Sequence, residues 1–101
     1  RSTLFPYTTL FRSSIHGKPN PEPYLKGMQK CVVEPWQTMV VENAPLGVRA
    51  AVAARCFTIA VNTGPLPDAV LQNEGANLIF PRMSNLAEAY HQWYPSACHA
   101  E

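Results

Sequence analysis

The stretch that decides the fold is TMVVENAPLGVRAAVAA, residues 38–54. Residues 38–41 are β-formers without polar alternation, a pattern typical of a strand that is covered on both faces in a parallel sheet. Residues 42–45 interrupt the apolar run, and residues 46–54 then carry the small side chains of a helix that packs close to a sheet. The stretch therefore predicts a strand, a short polar loop and a helix, in that order.

The same alternation continues on both sides of this stretch. Apolar runs predict two more strands, at residues 57–61 and 77–80, and helical patterns occupy residues 21–31, 68–74 and 83–94. Strands and helices that alternate with short connections favour βαβ units and a parallel sheet. We therefore expect an α/β fold with about three parallel strands, residues 38–41, 57–61 and 77–80, and flanking helices.

Polar residues follow the first of these strands at the point where it ends. Ligands of open α/β sheets bind at the carboxyl ends of the strands, so Glu42 and Asn43 are candidate site residues. A carboxylate beside an amide oxygen offers the hard oxygen ligands that magnesium prefers. Taken alone, such a pair is more often a solvated turn or a helix cap than a metal site, and a loop lysine such as Lys18 is usually just exposed.

Three segments taken together are more specific. They are GKPNPEPYL (17–25), VVENAPLGVRAA (40–51) and FTIAVNTGPL (57–66), and in this order and spacing they resemble the haloacid dehalogenase superfamily. The resemblance extends over residues 17–90 and is closest to the β-phosphoglucomutase and phosphoglycolate-phosphatase-like group. It implies a Rossmann-like core and a magnesium-dependent phosphohydrolase or phosphomutase that acts on a small phosphorylated metabolite through an aspartyl-phosphate.

The resemblance also implies roles for individual residues. Lys18 would be catalytic and phosphate-binding, because its cation neutralises the nucleophilic aspartate and the phosphoryl oxygens. Glu42 and Asn43 would help to hold Mg²⁺, directly or through water. Asn43 departs from the commonest pattern, which has an acid there, and an amide brings no charge. Arg55 stands at a position where relatives often have a glycine that ends the helix. If Arg55 adopts a left-handed backbone conformation there, the free energy cost would be about 1 kcal/mol.

The chain's single aspartate is Asp68, in LPDAV at the predicted start of a helix. The resemblance places the nucleophile and the general acid/base in a DxD motif on an earlier strand, and Asp68 has no such context. We therefore expect a C-terminal fragment that is inactive on its own and lacks the N-terminal half of its domain. The alternative from another class is a non-catalytic α/β interaction module that completes a partner's sheet.

Residues 1–13, RSTLFPYTTLFRS, have a different origin in our interpretation. They match, letter for letter, the translation of a widely used sequencing adapter, although their pattern alone would suggest a strand-turn-strand. Such segments are excluded from fold reasoning. We expect residues 1–13 to be non-native, residues 14–94 to form a partial core domain, and residues 95–101 to be a C-terminal tail.

Composition and charge argue against nucleic-acid-binding and membrane-spanning proteins. The net charge of +1 and the absence of a basic or acidic run argue against a nucleic-acid partner. Apolar runs fall far short of the ~20 residues of a membrane span. The three cysteines, Cys31, Cys56 and Cys98, are odd in number and widely spaced, so we expect a cytoplasmic protein with Cys31 and Cys56 buried and Cys98 in the tail.

Overall fold

The computed structural model describes residues 19–94. The expectations for residues 1–13, Lys18 and residues 95–101 lie outside the described part. In chain order the elements are α1 (Glu22–Cys31), a 3₁₀ helix (Pro35–Gln37), β1 (Met39–Glu42), α2 (Pro45–Ala53), β2 (Phe57–Val61), α3 (Asp68–Asn73), β3 (Leu78–Phe80) and α4 (Met83–Trp93).

The three strands form one parallel sheet in the order β1-β2-β3. Glu42 lies opposite Ala60, and Val61 lies opposite Phe80, so all three strands end at the same edge. The prediction of an α/β fold with three parallel strands and flanking helices is confirmed, with strand boundaries within one residue of those expected. The 3₁₀ helix was not among the predicted elements.

Helices cover both faces of the sheet. On one face, Val40 packs with residues of α1 and α2, and Ala60 packs with Val48 of α2 and Leu71 of α3. On the other face, Ile59 and Val61 pack against Leu86 of α4, because successive side chains of a strand point to opposite faces. Full burial of one such aliphatic side chain contributes about 1.5–3 kcal/mol, so these clusters fix where the helices lie.

The expectation that the first strand is covered on both faces was wrong. Val40 is completely buried under α1 and α2, but Val41 on the opposite face is 39% exposed. Phe57, on the same face at the start of β2, is 45% exposed. Within residues 19–94, β1 has β2 as its only strand neighbour, and α4 packs against β2 and β3 rather than over Val41.

Three of residues 19–94 have a positive φ. Gly75, which follows the end of α3, has φ 109°, and Arg55 has φ 68°, so the expected left-handed arginine is confirmed. Val32, at the end of α1, has φ 56° and was not predicted, because a β-branched residue rarely adopts this conformation. It allows the Val33 N–H to donate back to the Met28 carbonyl at 3.0 Å, which closes the helix end.

Of the two cysteines that were expected to be buried, one is buried and the other is exposed. Cys56 is buried as predicted, and burial raises the pKa of its thiol to about 11. Cys31 is exposed, so the prediction of burial was wrong: it is the last residue of α1 and lies outside the apolar cluster formed by Tyr24 and Met28. Among the described helices, none is long and apolar enough to cross a membrane.

Candidate functional site

The candidate site lies at the carboxyl edge of the sheet. Glu42 is the last residue of β1, and Asn43 is the first residue of the loop that leads into α2. Glu42 is half-buried and Asn43 is exposed. The loop that follows β2 begins at Asn62, at the same edge, because Ala60 lies opposite Glu42. The structure therefore brings Glu42 and Asn43 to the edge where parallel sheets bind their ligands.

The Glu42 carboxylate is held by a tyrosine on α1. Its Oε2 accepts a hydrogen bond from the Tyr24 hydroxyl, across eighteen residues of sequence. Tyr24 is 4% exposed and packs in the cluster that contains Met28 and Val40. Burial, and then the hydrogen bond to Glu42, raise the pKa of Tyr24 well above its usual range. The phenol therefore remains protonated and acts as a donor to the carboxylate.

A glycine makes room for the same carboxylate on its other side. Gly47, in the first turn of α2, is buried, and a Cβ built there would overlap Oε1 and Cδ of Glu42 and lie 3.1 Å from its Cγ. The glycine thus lets the carboxylate lie directly against the start of α2, where the helix dipole favours a negative charge. Tyr24 and Gly47 together confine the Glu42 side chain.

The helix-cap alternative does not fit this arrangement. The N-cap of α2 is Ala44, and no side chain caps that helix end. Glu42 turns instead toward Tyr24 and Gly47, so it is neither a cap nor a solvated turn residue. Asn43, being exposed, remains compatible with a solvated turn.

The loop after β2 is organised by its own first residue. Asn62 donates from Nδ2 to the Leu66 carbonyl at 2.8 Å and to Oδ1 of Asp68 at 2.7 Å. Its backbone N–H donates to the Phe80 carbonyl at 2.7 Å. Asp68 is the first residue of α3, as predicted, and is exposed. Its contact with Asn62 gives the only aspartate of the chain a structural partner at a helix start.

The side chains at this edge provide some, but not all, of the oxygen ligands that a hard divalent cation needs. Glu42 and Asn43 supply a carboxylate and an amide oxygen, which are ligand types that Mg²⁺ accepts. They supply one negative charge between them. Over residues 19–94, no group of three or more His, Cys, Asp or Glu side chains could hold a metal ion. Further ligands would have to come from outside the described residues.

The contacts of two residues that shape the site were not predicted from the sequence. Tyr24 was placed only in the helix over residues 21–31, and Gly47 was expected only as a small residue that lets the following helix approach the sheet and the site. A general signal was present, since a buried tyrosine needs a partner for its hydroxyl. The sequence does not show which residue that partner is.

The chain is similar in sequence and in fold to proteins of known structure. No family model matches the chain. A Bacteroides vulgatus protein described as a candidate beta-phosphoglucomutase is 55% identical, with a TM-score of 0.77, over 83% of this chain and 34% of that one. A HAD family hydrolase from Deinococcus radiodurans R1, solved with bound phosphate and sodium, is 28% identical, with a TM-score of 0.66, over 76% and 35%.

One curated protein is also similar to this chain in sequence. Hexitol phosphatase A of Escherichia coli K12 is 50% identical over 46 residues, which is 46% of this chain and 21% of that protein. The chain therefore spans about a fifth of the curated relative and about a third of each of the two solved relatives.

Proposed function

Because the chain belongs to the haloacid dehalogenase superfamily, we propose that it supplies one side of a magnesium-dependent phosphoryl-transfer site for a small phosphorylated metabolite. The observation that carries this proposal is Glu42, a carboxylate fixed at the carboxyl edge of the sheet by Tyr24 and Gly47. A fixed carboxylate at this edge is poorly explained by packing or capping alone. It is suited to holding a cation beside a phosphoryl group.

Each proposed residue has a distinct role. Glu42 and Asn43 hold Mg²⁺ directly or through water, and Lys18 places its ammonium group against the phosphoryl oxygens. Magnesium, when bound, neutralises charge that develops during transfer. Asn43 contributes an oxygen without charge, so we expect weaker metal binding than a carboxylate at this position would give.

The nucleophile is proposed to lie in the part of the relatives that this chain does not span. Asp68 is committed to Asn62 at the start of α3, and the described residues hold no second aspartate. Without an acceptor for the phosphoryl group, Lys18 and Glu42 can stabilise charge but cannot form an aspartyl-phosphate. A general acid/base, worth typically ~10²–10⁴-fold, is lacking as well.

Reconstitution tests this proposal. The 101-residue chain alone should show no turnover of a phosphomonoester with Mg²⁺. The part of the Bacteroides vulgatus relative that this chain does not span, expressed separately, should restore measurable turnover when the two are mixed. Lys18→Ala should abolish the restored activity, and Lys26→Ala, on the exposed side of α1, should not.

Two results would count against the proposal. Turnover by the chain alone that Lys18→Ala does not affect would contradict it. A stable complex of the two pieces with no turnover would favour the alternative of a non-catalytic module that completes a partner's sheet.

Other expectations from the sequence stand as parts of the same proposal. Residues 1–13 are proposed to be non-native, residues 14–94 to form the partial core, and residues 95–101 to be a tail. A cytoplasmic location is proposed from the cysteine pattern.

A further inference from the structure

The Tyr24 hydroxyl, on α1, donates a hydrogen bond to the proposed metal-holding carboxylate of Glu42. We propose that Tyr24 is a positioning residue, whose hydroxyl fixes the Glu42 carboxylate in the orientation that binds the divalent cation. The inference rests on the proposed function of Glu42, and it assigns to that site a residue outside the strand-end motifs.

The packing of Tyr24 makes such a role physically reasonable. Its ring is 4% exposed and lies in one cluster with Met28, Val40, Ala51 and others that are equally buried. Interiors are packed as closely as organic crystals, so a ring held on all sides has little freedom to move. The hydroxyl at its tip therefore has a fixed position relative to β1.

Glu42 needs such a fixed reference. A glutamate side chain has three rotatable bonds, and a half-buried one at a strand end can adopt several orientations. Gly47 leaves space on one side of the carboxylate, and the Tyr24 hydroxyl binds Oε2 on another. Partners that hydrogen-bond to metal-ligating side chains orient them, and their loss typically weakens metal binding ~10–100-fold.

A merely structural role for this hydrogen bond is the competing explanation. In that case, Glu42 would only satisfy a buried hydroxyl, as the Cys56 carbonyl does for Thr58 at 3.0 Å. Thr58 is completely buried and lies near the other end of the sheet, opposite Val40. Thr58→Val therefore provides a matched control, because it also removes one buried hydroxyl and its hydrogen bond.

The experiment compares Tyr24→Phe, Thr58→Val and the unchanged chain, each mixed with the separately expressed part of the Bacteroides vulgatus relative that this chain does not span, because Glu42 and Asn43 alone do not complete a metal site. NMR reports the ¹³C resonance of the Glu42 carboxyl, and titration with Mn²⁺, as a stand-in for Mg²⁺, reports metal affinity. We expect Tyr24→Phe to move the Glu42 resonance toward that of the exposed Glu88 and to weaken Mn²⁺ binding about tenfold. Thr58→Val should change neither readout.

The outcomes separate this inference from the proposed function. If the complex that contains the unchanged chain does not bind Mn²⁺ near Glu42, the proposed metal function fails. If it binds, and Tyr24→Phe leaves either the resonance or the affinity unchanged, only the positioning role fails. Should Tyr24→Phe not fold, Glu42→Gln tests the contact from the other side, and unmoved Tyr24 ring resonances would overturn the inference.

Discussion

The two loops at the carboxyl edge of the sheet are held in different ways. The residue that ends β1, Glu42, is fixed by Tyr24, which is eighteen residues away and belongs to another helix. The loop after β2 is fixed by Asn62, whose partners Leu66 and Asp68 are four and six residues away. The first region therefore depends on the packing of α1 and α2 against the sheet, whereas the second is organised by local hydrogen bonds.

This difference has a functional consequence. A carboxylate that is positioned by tertiary packing keeps its orientation only while the domain is intact, so its geometry is coupled to folding. A loop that is closed by its own asparagine can adapt without disturbing the core. The region that is proposed to hold the metal is thus the rigid one, as precise sites require.

The largest expected effect on the Glu42 carboxylate comes from Gly47→Ala. The added Cβ would displace Oε1 and Cδ of Glu42, which are the end of a flexible side chain, so its ¹³C carboxyl resonance should move while the free energy of unfolding changes by less than about 1 kcal/mol. Gly64, in the loop after β2, has no positive φ, and a Cβ added to it would meet nothing within 4 Å. Gly64→Ala should therefore change stability by less than about 0.5 kcal/mol. Urea denaturation of the two variants checks both values.

A Gly47→Ala chain in which the ¹³C carboxyl resonance of Glu42 is unmoved would break the comparison. So would a Gly64→Ala chain in which it moves. In either case, the close approach of the carboxylate to α2 would not determine where the carboxylate lies.

A smaller effect on the Glu42 carboxylate is expected from Asn62→Ala. It removes both hydrogen bonds of the loop, but they are exposed, so we expect a loss of about 0.5–1.5 kcal/mol in urea denaturation. The Glu42 carboxyl resonance should not move. Asn73→Ala, at the exposed end of α3, is the matched control and should be nearly neutral. A shifted Glu42 resonance in Asn62→Ala would show that the two regions are coupled.

The strands and helices could be predicted from the sequence because their signals are local. Apolar runs of four or five residues between short connections gave three strands and their helices to within one or two residues. The left-handed Arg55 was predicted from the resemblance to the family, whose members often have a glycine at this position. Glu42 and Asn43 could be placed at the sheet edge because they directly follow a strand.

The remaining features depend on contacts between distant segments. The exposure of Val41 depends on where α4 packs, and no pattern within four residues of β1 reports it. The 3₁₀ helix is closed by the Glu34 N–H, which donates to Oε1 of Gln37 at 3.0 Å, a side-chain contact without strong periodicity. The bond from Tyr24 to Glu42 joins two motifs that the sequence shows only as separate.

The most direct test of the central claim is paramagnetic mapping of a metal site on the chain in complex with the separately expressed remainder of the Bacteroides vulgatus relative. Mn²⁺ broadens amide resonances in its vicinity, and excess Mg²⁺ should reverse the broadening if both ions share the site. We predict that Lys18, Glu42 and Asn43 broaden together at the lowest Mn²⁺ concentration, while Cys56, before the other end of β2, broadens less. Broadening that is absent at Glu42 and Asn43, or that spares Lys18, would contradict the account.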